Sequence, residues 1–63
     1  MTPTQVLFRA AQLLESNAED LKRSHSIGDR WYMRDSIDMS AREHYDEEMA
    51  IAAKLRVLAG TGD

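Results

Sequence analysis

The apolar residues in the first third of the chain recur with the period of an α-helix. Thr2 and Gln5 form the two ends of a capping box, with Pro3 at the tolerated first helical position. After them, apolar residues follow at alternating spacings of four and three: Leu7, Ala11, Leu14, Ala18 and Leu21. This heptad seam predicts a helix over about 3–23 that packs lengthwise along a second helix.

Further apolar residues make the face of this first helix wider than a coiled-coil stripe. Val6, Ala10 and Leu13 flank the seam, so we expect the helix to contact more than one neighbouring helix. Phe8 projects away from the seam and would be exposed in a lone hairpin. We therefore predict that Phe8 belongs to a contact surface, unless the loop or a second subunit covers it.

A second helix is predicted over about 36–59. Its N-cap is open between Asp35, Ser36 and Asp38, with a capping box over Ser40–Glu43 as a later alternative. At the other end, Gly60 fits the position just after the last helical turn. One face carries residues at helical spacing, apolar except for two: Ile37, Ala41, His44, Tyr45, Glu48, Ile51, Ala52, Leu55, Leu58 and Ala59. A weaker stripe lies on the opposite side: Met39, Ala50, Ala53 and Val57. This stripe either contacts another helix or consists of good helix formers on a solvated surface.

These patterns predict an all-α fold in one domain over 1–63, a two-helix antiparallel hairpin with a loop over about 24–35 and a tail over 60–63. Two apolar faces favour self-association as a twofold homodimer that forms a four-helix bundle. The predicted dimer seam combines residues of both helices: Leu7, Ala11, Leu14, Ala18, Leu21, His44, Glu48, Ile51 and Leu55. Within it, His44 and Glu48 are expected to hydrogen-bond at the subunit contact, where a polar pair fixes register.

Length and composition strengthen the case for self-association. A chain of 63 residues buries only about 60% of its unfolded surface, so its stability is marginal without help. Disulfides are excluded because there is no Cys, and two His without Cys make a structural zinc site unexpected. The net charge of −3 argues against a duplex-DNA binder. With no secretory leader and no apolar stretch near ~20 residues, we expect a soluble cytoplasmic protein without a membrane span.

The connection between the helices holds the residue types of a contact surface. Arg30, Trp31, Tyr32 and Arg34 are of kinds enriched at interface hot spots, and we predict that they bind a partner. In the competing interpretation, Ile27, Trp31 and Met33 fold back to close the open end of the hairpin, because a twelve-residue connection needs anchoring. The same mixture of Arg and aromatic residues is suited to stacking single-stranded bases, which the acidic net charge disfavours.

The sequence offers no recognisable catalytic, cofactor or metal site. His44 and Glu48 are too few for a metal centre, and the Glu-x-x-His spacing of di-iron bundles is missing, so no enzyme, cofactor or small-molecule substrate is expected. Negative charge is concentrated at Glu43, Asp46, Glu47 and Glu48. This run is either a solvated helix face or an acidic patch that docks on a basic protein or mimics nucleic-acid phosphates.

Several segments resemble small early-region proteins of tailed bacteriophages and prophages. The similarity lies in Ala10–Glu15 with Asn17–Leu21, in Ser24-His25, and in Glu43–Glu47 leading into Ala52–Arg56. Where such proteins have known roles, they mostly disable a host protein: a transcription regulator, a pilus-assembly motor or a defence complex. The resemblance therefore implies a cytoplasmic inhibitor of a bacterial host protein, without assigning a role to any residue.

Three functions follow as hypotheses from these observations. The first is a phage-type dimeric inhibitor that binds a bacterial protein through the loop and adjoining helix surfaces. The second is an acidic nucleic-acid mimic, or a nucleic-acid-binding regulator. The third is a structural or assembly module whose partner is itself or another phage protein.

Overall fold

The computed structural model describes residues 1–61 and consists mainly of two antiparallel α-helices. Helix α1 spans Pro3–His25 and helix α2 spans Ser36–Thr61. Between them lie two short strands, β1 at Ser26–Ile27 and β2 at Arg30–Trp31. The molecule is a rod with extents of 45 × 17 × 14 Å. The two-helix prediction is thus confirmed, and neither helix within the described residues is long and apolar enough to cross a membrane.

Helix α1 begins as its sequence predicts and ends two residues later. The Thr2 side chain accepts a hydrogen bond from the Gln5 amide, and the Gln5 side chain accepts one from the Thr2 amide. At the other end, Lys22 and His25 place positive or ionisable groups near the negative pole of the helix dipole. Ser26 follows as the C-cap, and its hydroxyl donates to the Lys22 carbonyl. The helix thus runs through His25, past the predicted end at residue 23.

Helix α2 resolves the ambiguity about its start and differs from the prediction at its end. Asp35 is the residue that caps it, because the Asp35 carboxylate accepts from the Asp38 amide at 3.0 Å. Gly60 was predicted to follow the helix but lies within its last turn. There the Thr61 hydroxyl donates to the Leu58 carbonyl, so a side chain satisfies a terminal carbonyl without a left-handed glycine. Positions 62 and 63 of the predicted tail lie outside the described residues.

The two helices meet along a seam of small residues. Alanines alone form its buried apolar core within the described chain: Ala11, Ala18, Ala41, Ala52 and Ala59. Larger side chains are half-buried at its edges: Leu7, Leu14, Leu21, Tyr45, Met49 and Leu55. Alanine lets the two backbones approach closely, but it removes little apolar surface from water. The hairpin alone therefore has a thin core.

The connection contains a small β-hairpin that the sequence analysis did not predict. Ser26 pairs with Trp31 and Ile27 pairs with Arg30 in an antiparallel ladder. The turn begins at Gly28, whose φ of +58° is the left-handed value that a tight hairpin requires and that Gly adopts without strain. The Tyr32 amide then donates to the His25 carbonyl at 2.8 Å, which closes the connection over the end of α1.

Candidate functional site

One side of the hairpin exposes a long row of large apolar residues, which we call the open face. In α2 the row repeats every seven residues and so stays on one side of the helix. Its apolar members are substantially exposed: Ile37 (67%), Ile51 (43%) and Leu58 (47%) from α2, with Val6 (50%) and Leu13 (55%) from α1. His44 continues the same α2 row and is also exposed.

A hydrogen bond between the helices shows that the two rows share this face. The side-chain amide of Asn17 donates hydrogen bonds to both carboxylate oxygens of Glu48, at 2.8 and 3.0 Å. Asn17 lies one turn after Leu13, and Glu48 lies one turn before Ile51 on the same sides of their helices. The bond therefore joins the flank of α1 that carries Leu13 to the flank of α2 that carries Ile51.

Within one chain His44 and Glu48 have different surroundings, and their hydrogen bond at a subunit contact stays a prediction. Glu48 is directed towards Asn17 of α1, because the interhelical seam brings that amide within reach. His44 instead lines an open groove of about 250 Å³ with Leu21 and Ile37, at the end of the open face nearest the connection between the helices. His44 is thus free for a contact outside the hairpin.

The structure divides the predicted dimer seam into two groups. The first group packs between the two helices of a single chain: Leu7, Ala11, Leu14, Ala18, Leu21, Glu48 and Leu55. The second group, Ile51 and His44, lies on the open face. Only the second group is directly available to another copy, and the role of both groups in a dimer stays a prediction.

The connection over residues 26–35 forms the end of the helical hairpin, and we call it the tip. In its two strands, the alternation of side chains decides which of them face the helices. Ser26 and Trp31 form one cross-strand pair and are half-buried, whereas Ile27 and Arg30 form the next pair and are exposed. The Trp31 ring packs against Tyr45 of α2, with centroids 5.2 Å apart. The competing interpretation, in which Ile27, Trp31 and Met33 close the hairpin, is therefore wrong for Ile27 and Met33, which are 67% and 68% exposed. Trp31 alone takes that position.

A buried carboxylate organises the base of the tip. Asp38 is 2% exposed and accepts from Arg34 through its backbone amide, Nε and Nη2, at 3.1, 2.9 and 3.3 Å. The His25 Nδ1 lies 3.0 Å from Asp38 Oδ1, the oxygen that also accepts from Arg34 Nη2. The Arg34 guanidinium and then the His25 ring hold the pKa of Asp38 well below its usual range. Asp38 thus ties together α1, the connection and α2.

The predicted partner-binding residues of the tip therefore differ in their contacts and in their exposure to a partner. The Arg34 guanidinium bonds to Asp38 and lies 4.2 Å from the centroid of the Tyr32 ring, which is half-buried. Trp31 is packed on Tyr45, as described above. The Arg30 side chain makes no hydrogen bond or ion pair within the described residues and is exposed. Of the four tip residues, Arg30 is the one fully available to a partner.

Phe8, which is also predicted to belong to a contact surface, lies far from the tip. Phe8 lies about 25 Å along the helix axis from His25 at the end of α1, because each helical residue advances about 1.5 Å. Its neighbour is Arg56, whose guanidinium lies 6.0 Å from the ring centroid and makes two hydrogen bonds to Glu15, at 2.6 and 2.8 Å. The Arg56 hydrogen bond lowers the pKa of the Glu15 carboxyl. Phe8 is 39% exposed at this separate position.

A second cleft, on the other side of the tip, was missed from the sequence. It has a volume of about 160 Å³ and is lined chiefly by Trp31, Tyr32, Met33, Met39 and Arg42. We call it the tip cleft. Met39 and Arg42 are three residues apart and so share one side of α2. That spacing is the sequence signal for the cleft, although Met39 also fits a stripe with the distant Val57.

Within the described residues, no group of three or more His, Asp or Glu side chains is placed to hold a metal ion. The exposed features of the described residues are instead apolar side chains and isolated charged groups. No family model, curated protein or solved structure matches the chain.

Proposed function

We propose that the chain is a non-enzymatic protein-binding module that acts as a homodimeric four-helix bundle. The observation that carries this proposal is the open face, where five large apolar side chains lie 43–67% exposed on one side of the rod. Large contiguous apolar patches on small proteins commonly mark an interface. A second copy of the hairpin is the occupant that fits this face best.

The exposed area supports a second copy. The accessible surface is 4765 Å², whereas a compact monomer of 7.2 kDa is expected to expose about 4100 Å². The excess of roughly 600 Å² approaches the ~800 Å² that each partner buries in a standard interface. Within the described residues only alanines form the buried apolar core, so covering the open face would add the large apolar contacts that the hairpin lacks.

The spacing of the α2 row is also self-complementary. In an antiparallel twofold pairing of α2 helices, Ile37 meets Leu58 of the second copy and His44 meets Ile51 of the second copy. Each position is then opposed by a residue of the same row, as an isologous interface requires. Seven-residue repeats keep these pairs aligned along a four-helix bundle.

Molar mass in solution tests the dimer, by light scattering across a range of concentrations. We expect about twice 7.2 kDa for the natural chain. Ile51→Lys should give monomers because it places a charge on the open face. Val57→Lys is the matched control, since Val57 is 61% exposed on the outer side of α2 and should leave the dimer intact. A natural chain that is monomeric at high concentration, or equal effects of both variants, would refute the dimer.

We further propose that the partner is a bacterial host protein, which the module inhibits or modulates. The support for this step is the resemblance to early-region phage proteins together with the exposed tip. The test is affinity purification from a bacterial lysate with the natural chain and with an Ile27→Ala, Arg30→Ala double variant. That pair faces outward, so its replacement should release the host protein without unfolding the hairpin. Capture that is unchanged by the double variant would contradict binding through the tip.

An acidic mimic is the second candidate, because Glu43, Asp46 and Glu47 are exposed and have no ion pair among the described residues. It predicts a basic host partner whose capture is lost when Asp46 and Glu47 are changed to Asn and Gln. The third candidate, a self-assembly module, predicts assemblies larger than a dimer and no captured host protein.

A further inference from the structure

The tip cleft lies on the opposite side of α2 from the open face. Met39 follows Ile37 by two residues and Arg42 precedes His44 by two, which is a rotation of about 200° around the helix. A second copy seated on the open face therefore leaves the tip cleft uncovered. A dimer would present two such clefts to solvent.

The apolar part of the cleft combines one fixed ring with two adaptable side chains. Trp31 is held by its contact with Tyr45, at 5.2 Å between ring centroids. Met33 and Met39 are 68% and 53% exposed at its edge. Methionine is flexible and polarisable, and it is common on surfaces that accept apolar side chains of varied shape. The cleft is thus suited to a single large apolar side chain.

The charges around the cleft distinguish the kind of segment that would bring this side chain. Arg34 is neutralised by Asp38, whereas Arg42 makes no hydrogen bond or ion pair within the described residues. An unpaired guanidinium at the edge of an apolar cleft favours a carboxylate, to which it donates in a fork geometry. Glu43, beside it, disfavours a run of several acids because like charges repel.

We propose that the tip cleft binds a segment of a partner protein in which a large apolar side chain lies within a few residues of one Asp or Glu. The apolar side chain rests on Trp31, Met33 and Met39, and the carboxylate pairs with Arg42. This inference rests on the proposed protein-binding function and names the chemistry of the partner. A nucleic-acid ligand is disfavoured because the chain has a net charge of −3, which repels phosphates.

Selection from a displayed library of random twelve-residue peptides tests this inference with the natural full chain as bait. The selected peptides should be enriched in a large apolar residue near a single Asp or Glu. Binding of one synthetic selected peptide, followed by fluorescence anisotropy, should weaken roughly tenfold for Arg42→Glu because attraction becomes repulsion. Lys54→Glu makes the same charge change elsewhere on α2 and should leave the affinity unchanged. Arg42→Gln serves as a milder variant if the reversal lowers helix content.

Several results would overturn the inference. These are a library that yields no binder, selected peptides without an acidic preference, or equal affinities for the natural chain and Arg42→Glu. Binding of a single-stranded oligothymidine that Arg42→Glu abolishes would assign the cleft to nucleic acid instead. A monomeric chain that binds the selected peptide as described would refute the dimer alone, while a dimer that binds no peptide would refute the cleft alone.

Discussion

Ala52 and Ala53 are adjacent in α2 but lie in opposite environments, and this makes the seam testable by one repeated substitution. Ala52 has 0% exposure in the seam, whereas Ala53 is exposed on the outer stripe. Changing either residue to Gly removes one methyl group and adds backbone freedom to the same helix. Only at position 52 does the methyl group leave a packed environment.

The expected losses follow from these two terms. Glycine in a helix interior costs about 1 kcal/mol relative to alanine at either position. A buried methyl contributes about 0.8 kcal/mol more, so Ala52→Gly should lower the free energy of unfolding by about 2 kcal/mol and Ala53→Gly by about 1 kcal/mol. In a domain of this size, the difference corresponds to about 4–8 °C in Tm.

Urea unfolding followed by circular dichroism at 222 nm measures both losses. The protein concentration must be held constant, because a dimer gains apparent stability with concentration. Equal losses for the two variants would refute the reasoning. They would show either that Ala52 is not closely packed or that a partner helix covers Ala53 and the stripe that it forms with Met39, Ala50 and Val57.

Three further predictions concern the connection and its charges. Gly28→Ala should lower the free energy of unfolding by about 1–2 kcal/mol, because φ of +58° disfavours any side chain even in open space, while Asp29→Ala should change it little in the same urea titration. Asp38→Asn should weaken the hold on Arg34, so hydrogen exchange of the Arg34 amide should accelerate; an unchanged rate would contradict the role of Asp38 as an anchor. Folding lowers the pKa of Asp38 and Glu15, so both carboxylates stabilise the fold above their unfolded pKa of about 4, and this contribution is lost as pH falls. The urea midpoint should therefore drop between pH 7 and pH 3, and Glu15→Gln should reduce the drop. An equal drop in the variant would show that Glu15 does not contribute to the pH dependence of stability.

The helices were predictable because their signals are local and repeated. Thr2 with Gln5 specifies a helix start within four residues, and the heptad seam specifies which side of α1 is covered. The sequence also indicated that the apolar face was too wide for one neighbour. What periodicity does not specify is whether a seam joins helices of one chain or of two, since the same pattern serves both.

The tip was harder to predict because its contacts join distant parts of the chain. Gly28-Asp29 between two short β-compatible pairs was a readable turn signal, and it would have placed Ile27 outward and Trp31 inward. Asp38 was recognised only as a possible helix cap. Its bond to His25 depends on the antiparallel return of α2, which is a tertiary fact that no local pattern encodes.

The position of the buried Asp38 also limits how the two helices can slide past each other. Leu and Ala alternate along α1 with a period of seven, so a slip of one heptad would bring similar apolar residues together at little energetic difference. Such a slip would take His25 away from the buried Asp38 carboxylate, and it would also break the bonds of Asn17 to Glu48 and of Arg56 to Glu15. Three polar contacts, one of them at a buried carboxylate, thus break the degeneracy of a repetitive interface and select a single alignment as the hairpin folds.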